Sequence, residues 1–239
     1  MNRYFIKSLF ILLTSVFLTE FLPGTLLFGA EKKGSVKGTI RYFGQAPLSE
    51  KAPINIDREV CGSEYLEESL VNTENKGVKN AVINLKRNSQ GQKPSLTENR
   101  FYLVTKQFHF EPYVTVVQID NSLSIKNSDP VLHVLKFSRE GQVLFTLPLP
   151  ANGTIERKID HTGLIEVQCV LHPYMKSFIA VLDTPIYALS DQNGSFHFSD
   201  LNPGIYYLSI WHKSFGSIEK EIEIVPGKML NLAFELEQK

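Results

Sequence analysis

The stretch Gln168-Cys169-Val170-Leu171-His172-Pro173-Tyr174-Met175-Lys176 sets a thiol, an imidazole and a thioether at intervals of three residues. The 239-residue chain has only two cysteines and three methionines, one of them the initiator, so one of each around a histidine asks for a reason. Soft sulfur combined with imidazole is the ligand chemistry of copper sites that pass electrons: two His and one Cys thiolate near a plane, with a long axial Met. Cys169 closes the run L-I-E-V-Q-C and Ser177 opens S-F-I-A-V-L, so Cys169, His172 and Met175 share one tight loop that can aim three side chains at one point. A fourth ligand must come from a neighbouring strand upstream. His133 supplies it, because in S-L-S-I-K-N-S-D-P-V-L-H it follows a turn that itself follows a strand. Zinc has little use for a thioether, and the C-x-x-C-H pattern of a c-type haem is absent. The structural alternative for Cys169 is a disulfide with Cys61, which an oxidising compartment would favour.

These residues need strands to hold them, and the sequence provides strands almost throughout. From Arg100 onward, short runs rich in β-branched and aromatic residues (101–105, 113–119, 122–126, 131–137, 142–147, 154–159, 164–169 and 177–182) alternate with turn signals such as Asp120-Asn121, Ser128-Asp129-Pro130 and Asn152-Gly153. Strands at this spacing predict an all-β sandwich or barrel, and no helical period competes. On either side lie G-S-V-K-G-T-I-R-Y-F-G at 34–44, N-A-V-I-N-L at 80–85, and after Pro185 a series of strands broken by D-Q-N-G, N-P-G and Pro226-Gly227. Residues 45–76 read as a long polar surface excursion.

Composition narrows the function classes. The 25 basic and 25 acidic residues balance, so there is no electrostatic footprint for nucleic acid. No G-x-S-x-G elbow, H-E-x-x-H or P-loop is present, and Asp160-His161 lacks a nucleophile in a recognisable context, so an enzyme is not expected. The N-terminus, with basic M-N-R-Y-F-I-K ahead of the apolar run S-L-F-I-L-L-T-S-V-F-L, predicts a signal peptide over 1–30, cleaved near Ala30. An uncleaved anchor is the alternative. The mature chain is expected to be exported, periplasmic or extracellular, with no membrane span.

Two resemblances organise the whole. The pattern D-x-x-G-x-F-x-F-x-x-L-x-P-G-x-Y-x-L at 191–208 resembles the second half of carboxypeptidase regulatory-like domains, small sandwiches of transthyretin-like architecture, and the strands at 34–40 and 80–85 resemble their first half. This implies that 31–92 and 185–239 fold together around an inserted block, 93–184; two independent end domains are the alternative. In the block, Phe110-x-Pro112, then Lys126-Asn127-Ser128-Asp129, then His133, then C-V-L-H-P-Y-M resemble the cupredoxins in content and order, amicyanin in particular for the short loop. The resemblance implies a Greek-key β-sandwich with one type 1 copper ion on His133, Cys169, His172 and axial Met175. It also implies His172 near the surface under Leu171, Pro173 and Tyr174, where a cytochrome- or quinol-linked redox protein would dock. One departure is plain: where the family often has Asn after the first histidine to brace the copper loops, this chain has Val134. Copper storage or resistance, and a structural module with an incidental copper site, remain alternative roles.

Overall fold

The computed structural model describes residues 32–46, 51–54, 56–61, 64–66, 70–88 and 100–237. The expected signal segment, its cleavage point near Ala30 and the junction at residues 92 and 93 lie outside the described residues. No helix among the described residues is long and apolar enough to cross a membrane.

The chain is all-β. Before residue 90 it forms β1 (Gly34–Phe43), β2 (Lys51–Pro53), the single-turn helix α1 (Arg58–Cys61), β3 (Glu64–Leu66) and β4 (Val82–Arg87). The middle of the chain forms β5 (Phe101–Lys106), β6 (His109–Glu111), β7 (Val114–Gln118), β8 (Ser122–Asn127), β9 (His133–Arg139), β10 (Gln142–Leu149), β11 (Thr154–Lys158), β12 (Gly163–Cys169) and β13 (Lys176–Leu182). The remainder forms β14 (Tyr187–Leu189), β15 (Ser195–Leu201), β16 (Gly204–His212), β17 (Gly216–Ile224) and β18 (Met229–Glu237).

The middle strands make two facing sheets, one in the order β10-β9-β12-β13-β7 and one in the order β11-β8-β5-β6. Alternation explains which side chains lie between them. In β9, His133, Leu135 and Phe137 point inward while Val134 and Lys136 are half-buried on the other face. Leu103, Leu123, Ile125, Val167 and Ile179 fill the same core, and each such burial contributes roughly 1.5–3 kcal/mol.

The outer strands make two further sheets, β15-β1-β18 and β14-β4-β16-β17. Thus, among the described strands, β1 and β4, from before the middle block, are laddered with strands that come after it. Val36, Ile40, Ile83, Leu85, Phe196, Tyr206 and Leu208 form their core. Gly194 in the D-Q-N-G turn illustrates the closeness of packing: its φ is +72°, and a Cβ there would fall 2.0 Å from the Ile40 carbonyl oxygen.

A third apolar cluster joins the two sandwiches. Val82 of β4, Val114 and Val116 of β7 and Ala180 of β13 meet there, and Trp211 lies 5.4 Å from Phe178, ring centre to ring centre. This explains why every residue of β7 is buried: Val117 lies in the inner core, and Val114 and Val116 lie against the second sandwich.

Candidate metal centre

Strand pairing brings the first two candidate residues together. β9 and β12 are antiparallel neighbours in which Cys169 lies opposite Leu135. Because His133 is two residues from Leu135, its side chain shares that inward face and meets the Cys169 thiol. The loop from Val170 to Met175 then turns back on itself. The Met175 N–H donates to the His172 carbonyl at 2.9 Å, and the Cys169 N–H donates to the Met175 carbonyl at 3.1 Å. The Gln168 side-chain amide braces the turn from outside by donating to the Pro173 carbonyl at 2.8 Å.

The result is a compact donor set. Nδ1 of His133 and Nδ1 of His172 each lie 3.6 Å from the Cys169 sulfur. One ligand atom from each of the three residues falls within 4.8 Å of the others, and all three side chains are buried. Met175 is also fully buried in the same core, on the loop whose backbone ties it to Cys169 and His172. Both cysteines are free thiols, so the alternative Cys61–Cys169 disulfide does not form.

Each imidazole is fixed from its far side. His133 Nε2–H donates to the Asp129 carboxylate at 3.0 Å, and His172 Nε2–H donates to the Asp57 carboxylate at 3.0 Å. Holding the proton on Nε2 leaves Nδ1 as the nitrogen available beside the sulfur. Asp129 is itself held by the Phe108 N–H, at 3.3 and 3.4 Å to its two oxygens. Asn127 anchors this turn. Its side-chain oxygen accepts from the Asp129 N–H at 2.9 Å and from Thr105 Oγ1 at 2.8 Å, while its amide donates to the carbonyls of Val131, Leu149 and Pro150. The Phe108 ring meets both imidazoles edge-on, 5.6 Å from His133 and 5.0 Å from His172.

The electrostatics follow from these contacts. Burial alone would depress the His133 pKa, but its hydrogen bonds to Asp129 and to the Cys169 sulfur outweigh that and raise it to about 9. Burial alone would raise the Cys169 thiol, yet the hydrogen bonds from His133, the Val134 backbone and His172 bring it down to about 7. Asp129 is lowered as well: its own burial works against this, and the His133 and Phe108 hydrogen bonds prevail. These contacts favour the thiolate of Cys169 and positive charge beside it. A soft metal ion fits this set, since it would replace the shared proton between one thiolate and two oriented imidazoles.

The structure corrects one expectation and explains another. His172, expected near the surface beneath Leu171, Pro173 and Tyr174, is instead 1% exposed, and its outer nitrogen is hydrogen-bonded to Asp57 of the polar excursion. The position after His133, expected to brace the loops only through an Asn side chain, does so through its backbone: the Val134 carbonyl accepts from the Val170 N–H at 2.7 Å. Asp57, Asp129, Asn127 and Phe108 were not among the candidates from sequence. Asp129 carried a usable signal, a Ser-Asp-Pro turn four residues before His133; Asp57, 115 residues from His172, carried none. Of the other histidines, His109 and His197 are exposed on their strands, and His161 is exposed beside Asp160. His212 is 1% exposed in the outer sandwich.

No protein-family profile matches the chain, and no curated protein matches it. Among solved structures it is similar to a purple cupredoxin from Nitrosopumilus maritimus, at 18% identity over 36% of this chain and all of that one, with a TM-score of 0.32. It is also similar to amicyanin from Paracoccus versutus, at 10% identity over 41% of this chain and 98% of that one, with a TM-score of 0.32. A copper-containing nitrite reductase from Thermus scotoductus SA-01 is a third such structure, at 18% identity over 41% of this chain and 25% of that one, with a TM-score of 0.33.

Proposed function

We propose that the protein is an exported electron carrier with one type 1 copper centre, which Cys169, His133, His172 and the Met175 thioether would hold. The observation that carries this reading is the convergence of two buried imidazole Nδ1 atoms on one buried sulfur, each at 3.6 Å. A copper ion bound there would supply one-electron oxidation and reduction. The chain's own residues do the rest. Cys169 is held as a ready thiolate by His133, Val134 and His172. Asp129 and Asp57 orient the two rings, and the Phe108 ring packs edge-on against both.

The motif C-V-L-H-P-Y-M and its order after His133 support the same assignment. In this account residues 93–184 are a cupredoxin-type domain inserted into a carboxypeptidase regulatory-like sandwich made of 31–92 and 185–239. The basic and apolar N-terminus supports removal of 1–30 on export. The partner would be a redox protein, cytochrome- or quinol-linked, and the chain itself is not an enzyme.

Storage of copper is the second reading, favoured by one observation: the outer edge of His172 is closed. Repeated reduction and oxidation of the copper-loaded protein separates the two. A carrier returns through many cycles with its visible band and copper content intact. Loss of copper on each reduction would point to storage and overturn the carrier reading.

A further inference from the structure

Asp57 reaches the metal centre from outside the strands that build it. It precedes the whole middle block, yet its carboxylate accepts the His172 Nε2–H at 3.0 Å. The segment closes on itself as one turn and is then fastened at its end. The Asp57 carbonyl accepts from the N–H groups of Val60 and Cys61 at 2.9 and 3.0 Å and from the Cys61 thiol at 2.9 Å. At the other end of α1, the Cys61 sulfur accepts from the Tyr174 hydroxyl at 3.6 Å, and Cys61 packs against the core that contains Cys169 and Met175. Tyr174 in turn lies edge-on to His172, at 5.9 Å between ring centres. Asp57, just ahead of α1, contacts a candidate ligand, and Cys61, at its far end, contacts Tyr174, whose ring meets the same imidazole; together they fasten this segment against it.

We propose that Asp57 is a positioning residue for the metal centre and that the turn Asp57–Cys61 is its built-in cap. This rests on the copper reading of the site. The carboxylate holds the His172 ring with Nδ1 toward Cys169 and, by accepting the Nε2–H and polarising that bond, makes the ring a stronger donor. A stronger donor favours the oxidised metal and therefore lowers the reduction potential. The cap also shuts solvent away from the ring, so a bound ion leaves more slowly.

The choice of variants follows from the backbone. Asp57 has φ +54°, a left-handed conformation that Gly and Asn accept and that Ala resists. Asp57→Gly therefore removes the carboxylate without straining the turn, and Asp57→Asn keeps an acceptor oxygen but no charge. The first arm uses metal-free protein and needs no copper. The ¹⁵N-histidine NMR signal of His172 Nε2–H should be protected from solvent exchange in the wild type, lost in Asp57→Gly and retained in Asp57→Asn. The second arm uses copper-loaded protein: Asp57→Gly should bind copper roughly 10–100-fold more weakly, with an upward shift in potential, and Asp57→Asn should shift upward by less. An unchanged His172 signal in Asp57→Gly would overturn the positioning role, as would an unchanged potential and affinity. A wild type that takes up no copper overturns the copper reading, and with it the role in metal binding, while the metal-free arm still decides whether the cap holds the ring.

Discussion

Both sandwiches bury histidine side chains almost completely, but they treat them in opposite ways. In the middle sandwich His133 is fully buried between a carboxylate and a sulfur, and its pKa rises to about 9. In the outer sandwich His212 is 1% exposed beneath the ring of Phe215, 5.0 Å away, with its Nδ1 accepting from the Ser214 N–H, and burial takes its pKa down to about 4. Burial is common to both, so burial is not what makes a site. The difference is made by partners: Asp129 and Cys169 surround His133, whereas the contacts of His212 are an aromatic ring and backbone. A carboxylate behind a buried histidine and a thiol in front of it favour positive charge there, and a buried histidine without them is held neutral.

The largest effect should come from breaking the partnership that only the middle sandwich has. Asp129→Ala leaves the His133 ring N–H and the Phe108 N–H buried with no acceptor, and should cost roughly 3–5 kcal/mol in unfolding free energy. Urea denaturation of the metal-free protein measures it. A loss below 1 kcal/mol would mean that the carboxylate contributes little and that the contrast with His212 is overdrawn.

A smaller effect should distinguish the two regions by pH. The folded pKa of His212 lies below its unfolded value, so its contribution is present above about pH 6.5 and is lost as the pH falls toward 4. Over that window the metal-free protein should lose about 3 kcal/mol from this group. His133 has the opposite sign. Its folded pKa is raised, so its contribution is complete below about pH 6.5 and is lost only as the pH rises toward 9. Cys169, lowered from 9.0 to about 7, adds stability only above neutrality and has nothing left to lose in the acid window. Denaturation at pH 7, 5.5 and 4.5 should therefore show a decline that His212→Gln reduces. An unaltered decline in that variant would assign the acid sensitivity elsewhere.

The sequence made part of this arrangement legible, and the reasons are physical. V-L-H-V-L-K-F alternates, so His133 had to share a face with Leu135 and Phe137, and the structure puts all three inside. Only two residues between Cys169 and His172, with Pro173 next, leave the loop little freedom, and the two side chains do converge. What escaped was everything that depends on distant chain or on backbone. Asp57 meets His172 across 115 residues from a stretch that reads as polar loop, and no local pattern marks such a contact. The brace at Val134 is made by its carbonyl, which every residue type carries, so attention to its side chain could not reveal it. The buried position of His172 follows from the first of these, since the covering segment is the unforeseen one.

The central claim is that Cys169, His133 and His172 hold copper through the Cys169 thiolate. The most direct measurement is the visible absorption spectrum after one equivalent of Cu(II) is added to the reduced, metal-free protein, alongside Cys169→Ser. The account predicts an intense thiolate-to-copper band in the wild type and none in Cys169→Ser, because a hydroxyl cannot replace the soft sulfur ligand. A wild type without the band, or a Cys169→Ser protein that keeps it, would contradict the account.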